Sequence, residues 1–362
     1  LYTNGQLPCQ ICLGSPGLGR TKGLSDAFEP QLPCDYDFGS SVGSKLKNAV
    51  AIVHNNPEQS SIVFVDWTLG NVCNYACSYC PDRLHDGSLR WPAVDKVIGL
   101  SEKIVDHYRK LGRRAYIKFS GGEPSAYKGM LEVLARLRDL GALTALNTNG
   151  SREMAWWDSA IPLLDAIVLT YHIEFAELEH FAAVLKRLTE ASITTHVNVT
   201  MVPERFDECV AKASELAARC RGMSIALKAL RVSFGSELYP YTEQQKTTMA
   251  RFGAAGAKKK LVRGQMLCTY DDGSSELLSP QELILRGANQ WTSWNCNAGI
   301  ESLALHFDGQ VYRSVCGEGG AIGNLFDQSI AFPSAPIRCT KKDCHCLSDI
   351  RITKWRESSL DG

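Results

Sequence analysis

Six short β-branched runs, at 61–65, 115–119, 143–147, 166–171, 194–200 and 223–229, are separated by segments whose apolar residues recur at a helical period. One segment carries Val94, Val97, Ile98, Ile104, Val105, Tyr108 and Leu111; another carries Leu178, Phe181, Ala182, Leu185 and Leu188. Each set falls on one face of a helix. Gly141 stands just past a third segment, with Leu131, Leu134 and Leu137, where a left-handed cap is expected. Strands that alternate with helices imply a parallel sheet with right-handed crossovers. The expected class is therefore α/β, as an open, partial barrel or a doubly wound sheet. In either, ligands bind beyond the C-terminal ends of the strands. Cys73, Cys77 and Cys80 follow the first run, Ser120-Gly121-Gly122-Glu123-Pro124 the second, and Asn147-Thr148-Asn149-Gly150 the third. Thr170, Tyr171 and His172 end the fourth, and Asn198 and Thr200 the fifth, so the polar and special residues share one rim.

The 14 Cys decide what kind of chemistry that rim serves. A disulfide scaffold is expected to be small and secreted behind a signal peptide, and a chain of 362 residues without one points to a reducing, cytoplasmic setting. The chain opens on Leu1, so an upstream segment is expected. Lys+Arg and Asp+Glu balance at 39 each, which argues against gripping nucleic acid or an anionic membrane. No apolar run is long enough to span a bilayer. Cys209 falls on an apolar helical face with Phe206, Ala213 and Leu216, and it, Cys220 and Cys268 read as small core residues.

Three thiolates in the spacing Cys73-x3-Cys77-x2-Cys80 can ligate three corners of a cubane cluster and leave the fourth iron open. Zinc with His85 as a fourth ligand is the alternative. The Gly121-Gly122 turn at the next strand end offers bare backbone to an amine or carboxylate. Cys73-Asn74-Tyr75-Ala76-Cys77-Ser78-Tyr79-Cys80, followed by Gly121-Gly122-Glu123-Pro124 in a βα series, resembles the radical S-adenosylmethionine (SAM) superfamily. The resemblance covers roughly residues 61–235 and implies a partial (β/α)6 TIM-type barrel with a 4Fe-4S cluster whose open iron binds SAM. It implies reductive cleavage to methionine and a 5′-deoxyadenosyl radical that abstracts a substrate hydrogen. Carried over by position, Tyr79 and Gly121, Gly122, Glu123 and Pro124 resemble SAM-binding residues, with Gly121, Gly122 and Glu123 as the strip at the amino group. Thr148 and Asn149 match an element near the methionyl moiety, Thr170 a carboxylate contact and Asn198 a ribose neighbour.

A second set, Cys296, Cys316, Cys339, Cys344 and Cys346, surrounds a hairpin signal at Asp308-Gly309. This stretch resembles the auxiliary-cluster domains called SPASM and twitch, departing from the seven-Cys form. Five Cys suit one auxiliary 4Fe-4S cluster with one thiol left over. A leftover thiol facing the barrel would donate a hydrogen atom, whereas a cluster with an open iron would bind substrate or accept an electron from the product radical. The sequence does not choose, and Cys346 is carried both as ligand and as catalytic candidate. Structural zinc is again the alternative.

The expected organisation is an irregular cap over 1–60, a core over 61–240, a helical connection over 241–290 and an auxiliary cluster domain over 291–362. Cys9, Cys12 and Cys34 lie in the cap, without an assigned role. Thr242 and Gln245 form a capping-box signature before Gly253 to Lys260, which reads as a linker. His172, Glu174, Lys228 and Arg231 are candidate substrate groups. The leading expectation is hydrogen abstraction from a polar small molecule of sugar or aminocyclitol type, ending in dehydrogenation or epimerisation, with a flavodoxin or ferredoxin as electron donor. A peptide-modifying enzyme and a zinc-stabilised binding protein are the alternatives.

Overall fold

A computed structural model describes residues 49–55, 61–220, 223–234, 237–254, 265–278, 280–344 and 346–357. Cys9, Cys12 and Cys34 lie outside the described residues. Strand β1 (Ala49–His54) precedes six strands: β2 (Ile62–Thr68), β3 (Arg114–Ser120), β4 (Leu143–Thr148), β5 (Ala166–Tyr171), β6 (Thr194–Met201) and β7 (Ser224–Ala229). The helices that follow β2 to β7 in turn are α1 (Val94–Lys110), α2 (Met130–Asp139), α3 (Met154–Ala160), α4 (Leu178–Glu190), α5 (Phe206–Arg219) and α6 (Glu243–Ala254). Strands β2 to β7 pair in chain order and all in parallel, as the alternation of periods requires. Val63, Val65 and Trp67 of β2 join Ile117, Phe119 and Leu146 in one core with Leu100, Ile104 and Val133 of the helices. Alternate residues, among them Asp66, Lys118, Asn147, Thr170 and Asn198, occupy the opposite face of the sheet. The capping box forms: Gln245 N–H donates to Thr242 Oγ1 at 3.2 Å, and Thr242 N–H to Gln245 Oε1 at 2.9 Å.

The remaining elements are β8 (Met266–Tyr270), β9 (Ser275–Leu278), α7 (Pro280–Leu285), β10 (Asn295–Cys296), β11 (Ser302–Leu305), β12 (Gln310–Tyr312), β13 (Ala321–Asn324), β14 (Ser329–Ile330), β15 (Ile337–Arg338), α8 (Leu347–Ile350) and β16 (Lys354–Trp355). The β11–β12 hairpin turns at Asp308-Gly309, where the dipeptide places it. Its first strand pairs in parallel with β2, so the core sheet continues as β2-β11-β12-β13-β14. A second sheet has the order β15-β10-β16-β1-β8-β9.

Two expected boundaries therefore differ from the fold. Residues 49–54 of the expected irregular cap form a strand inside the second sheet, and the expected connection over 241–290 contains the β8–β9 hairpin. The partners of β1 are β8 and β16, both remote in sequence, so nothing local marks its place.

Glu301 joins the two sheets. Its backbone oxygen accepts from Phe64 N at 2.9 Å, and its carboxylate meets His54 Nε2 at 3.0 Å, Asn297 Nδ2 at 2.7 Å and Thr353 N at 2.9 Å. Burial pushes this carboxyl up, but the bonds from His54, Asn297 and Thr353 outweigh it and hold the pKa at about 2. A depressed carboxyl pKa contributes stability above its unfolded value, lost as pH falls through the folded one. At neutral pH the contribution is about 3 kcal/mol. Chemical denaturation followed from pH 5 down to pH 2 is expected to show a loss that Glu301→Gln largely removes. An unchanged pH slope in that variant would refute the assignment. Among the described residues no helix is long and apolar enough to cross a membrane.

Candidate active site

The loop after β2 is held open by a buried asparagine. Asn71 Nδ2 donates to Arg83 O at 3.0 Å, Asp86 Oδ1 at 2.7 Å and Ser88 Oγ at 2.9 Å, while its Oδ1 accepts from Leu89 N at 2.9 Å. Cys80 N donates to Cys77 O at 2.9 Å, closing a turn between the two thiols. Cys73, Cys77 and Cys80 thereby line one cleft with Gly121, Gly122, Glu123, Thr148, Asn149, Thr170 and His172, around a cavity of about 110 Å³. Tyr79 and Lys228 line it as well. Burial pushes the Cys77 thiol up to about 11 and that of Cys80 to about 12. Metal binding at such thiols must displace protons.

Gly121 and Gly122 take φ of +88° and +53°. A Cβ on Gly121 would stand 2.4 Å from Thr68 Cγ2, and one on Gly122 would stand 2.1 Å from the Val72 carbonyl oxygen. The two strand ends pack so closely that only bare backbone fits, and Glu123 N donates to Val72 O at 2.8 Å across the same seam.

The Glu123 carboxylate is turned inward. Its Oε1 accepts from Ser125 N at 2.9 Å and Thr148 Oγ1 at 2.6 Å, and its Oε2 from Asn149 N at 2.6 Å. Burial raises its pKa against the pull of those donors. Glu123, expected at the cofactor, lines the cleft and also ties the end of β3 to the end of β4. Pro124, also expected at the cofactor, is buried at the start of the turn Pro124–Ala126. Asn149 Nδ2 donates to Asn74 Oδ1 at 2.9 Å, linking β4 to the Cys loop. Glu123→Ala orphans three donors at about 1 kcal/mol or more each. A loss of about 3 kcal/mol in urea unfolding is expected. A loss within error would show the carboxylate is not the tie.

The end of β5 braces the loop from the other side. His172 Nδ1 lies 2.5 Å from Tyr79 Oη and 3.5 Å from Cys77 Sγ, and Tyr79 Oη lies 3.0 Å from Thr200 Oγ1. Burial, with the charge of Lys228, pushes the imidazole down to about 3, so it is neutral at physiological pH. Glu174 accepts from Ser78 N at 2.8 Å and Ser78 Oγ at 2.5 Å. Two residues expected at the substrate thus hold the Cys loop. Asn198 lies on the sheet face away from the helices, beside Thr170 in register, with its Oδ1 3.2 Å from His196 Nε2. It is not part of the cleft lining, and neither is Arg231. The sequence reading missed Asn71, for which a lone Asn beside a Gly gives no signal beyond a turn.

Cys296, Cys316, Cys339 and Cys344 line a second cavity, with Asp349 and Lys354 in its wall. The thiols come from β10, from the loop after β12 and, for Cys339 and Cys344, from the loop between β15 and α8. Cys296 sits on β10, Cys339 is tied by its N–H to Trp294 O at 2.8 Å, and Cys344 is clamped by Asn289 through two bonds of 2.9 Å. Asp349 accepts from Val315 N at 3.2 Å and Cys316 N at 2.7 Å. Burial pushes the Cys316 thiol up to about 12 and the Asp349 carboxyl to about 6. Cys346 is buried at the start of α8 and lines neither cavity. Cys209, Cys220 and Cys268 are buried, as core residues should be. Among the described residues no three His, Cys, Asp or Glu side chains converge on a single-ion point. A cubane does not ask that of its ligands, because each thiolate takes a separate iron.

Residues 67–217 match the family model described as Radical SAM superfamily. The GTP 3′,8-cyclase of Stenotrophomonas maltophilia (strain K279a) is 32% identical over 107 residues, 28% of this chain and 31% of that protein. That of Ectopseudomonas mendocina (strain ymp) is 30% identical over 138 residues, 36% of this chain and 39% of that protein. The chain spans about a third of the length of the curated relatives it matches. Among solved structures, the one described as native anSMEcpe with bound AdoMet aligns with a TM-score of 0.46 at 14% identity, over 73% of this chain and 78% of that one. Streptococcus suis SuiB bound to precursor peptide SuiA aligns with a TM-score of 0.46 at 12% identity, over 74% and 63%. The three thiols and the glycine seam lie inside the stretch that the family model matches, and residues 67–217 are a radical SAM superfamily domain.

Proposed function

We propose that this chain is a radical SAM enzyme that removes hydrogen from a C–H bond of a polar small molecule, of sugar or aminocyclitol type, with a second 4Fe-4S cluster in a SPASM- or twitch-like unit. The observation that carries the reading is the meeting of Cys73, Cys77 and Cys80 with the bare Gly121-Gly122 backbone in one cleft at the C-terminal ends of β2 and β3. The cluster would supply the electron that splits SAM into methionine and a 5′-deoxyadenosyl radical. The chain's own residues do the rest. The three thiols hold three irons and leave one corner open. Gly121 and Gly122 let a ligand's amino group approach the main chain, and Thr170 offers a hydroxyl to its carboxylate. Glu123, Asn149, His172 and Glu174 keep these parts in register.

In this reading the parallel sheet acts as a partial (β/α)6 barrel, with substrate against its face away from the helices. That face carries the Asp66–Lys118 ion pair at 2.5 Å and the His196–Ser224 contact at 3.0 Å, groups suited to hydroxyls and amines. Cys296, Cys316, Cys339 and Cys344 are the four ligands of the second cluster, with Cys346 left over. A flavodoxin or ferredoxin supplies electrons.

The test is anaerobic incubation with SAM, a reductant and panels of sugars, aminocyclitols, nucleotides and peptides. Release of 5′-deoxyadenosine, stimulated by the sugar or aminocyclitol panel, is expected. Solvent deuterium in the product would mark epimerisation, and its absence dehydrogenation. A colourless, zinc-loaded protein that releases no deoxyadenosine would sink the reading.

A further inference from the structure

A lysine is almost never fully buried without an anionic partner. Lys354 is 2% exposed, on β16, and it lies in the wall of the second cavity. Its register partner on β10 is Cys296, directly opposite in the antiparallel pair, which places the two side chains on one face of the sheet. Nζ donates to the carbonyl oxygens of Asp349 at 2.6 Å, Ile352 at 2.9 Å and Ile350 at 3.4 Å. Three acceptors match the three N–H donors of an ammonium. The ammonium also stands 4.6 Å from the centre of the Trp291 ring. These partners satisfy hydrogen bonds but supply no net negative charge. The Asp349 carboxylate lies in the same cavity wall and is stabilised by the charge of Lys354, but its hydrogen bonds come from the Val315 and Cys316 amides.

We infer that Lys354 is the counter-charge of the centre held by Cys296, Cys316, Cys339 and Cys344, and that it sets the reduction potential of that centre. The inference rests on the proposed second cluster. Four thiolates around a cluster leave a net negative group whose charge grows on reduction. A fixed buried cation stabilises the reduced form more than the oxidised one, so it raises the potential. The carbonyl cage and Trp291 hold the ammonium in place, where an exposed lysine would be screened by water.

The experiment is a redox titration of the anaerobically purified holoprotein, following both clusters by electron paramagnetic resonance alongside iron content. Lys354→Met is expected to disfavour reduction of the second cluster about tenfold, a shift of about 59 mV to lower potential. The first cluster should titrate unchanged. Lys354→Arg keeps the charge and should stay near the parent value. Lys354→Gln, which still donates to the cage, should behave as the Met variant does and serves if that one does not fold. Full iron with an unshifted potential in the Met or Gln variant overturns the role of Lys354 and leaves the two-cluster reading standing. Equal potentials in the Arg and Met variants also overturn it. Failure of the cluster reading shows differently: a Cys339→Ala, Cys344→Ala double variant would then bind as much iron as the parent.

Discussion

Gly122→Ala is expected to lower release of 5′-deoxyadenosine about a hundredfold or more while the chain still folds. The new methyl would sit 2.1 Å from the Val72 carbonyl oxygen, and the backbone there is at φ +53°. Backbone cannot swing aside as a flexible side chain can, so Val72 must move and take Cys73 with it. A displacement near 1 Å at a reacting centre costs about 10²-fold. Gly141 provides the control. It too has a positive φ, +76°, but nothing lies within 4 Å of its added methyl. Gly141→Ala should therefore lose about 1 kcal/mol of stability from strain and keep its turnover. Equal activity loss in both variants would show that strain, and not the seam between strand ends, is responsible.

Cys77→Ala should abolish deoxyadenosine release altogether and leave the iron of the second centre in place. Cys77 is the most buried of the three cleft thiols, at 5% exposure, and it lies against His172 Nδ1. With one of three ligands removed, the two remaining thiols cannot hold a cubane through turnover. Cys209→Ala is the matched control, since Cys209 is fully buried on α5 away from the cleft. It should cost packing energy alone, about 1 kcal/mol. Retained turnover in Cys77→Ala would remove these thiols from the chemistry, and loss of all iron would mean the two centres do not assemble independently.

The core sheet was legible in the residues because its signal is local. The run expected at 166–171 coincides with β5, and the helix expected from Val94 begins there in the structure. Each segment alternates at its own period, whatever it packs on. Roles were less legible than positions. His172 and Glu174 were expected at the rim and are there, but their partners Tyr79, Cys77 and Ser78 belong to a loop more than 90 residues earlier. No periodicity reports which of two rim groups faces substrate and which faces a neighbouring loop. Glu123 likewise reads as a cofactor contact, and its ties to Ser125, Thr148 and Asn149 emerge only from the fold.

The sequence by itself determined a parallel βα series, a rim carrying three closely spaced thiols, and a glycine pair at the adjoining strand end. These follow from spacing within single segments, where covalent connectivity limits what neighbours can do. Only the tertiary structure decided which four of the five C-terminal thiols share a cavity. Cys296, Cys316, Cys339 and Cys344 meet because β10, β15 and β16 pair across long loops, whereas Cys346, two residues from Cys344, caps α8 and is not part of that cavity's lining. Only the fold, too, set Lys354 opposite Cys296, since the energy that holds a buried cation depends on the groups that surround it in space.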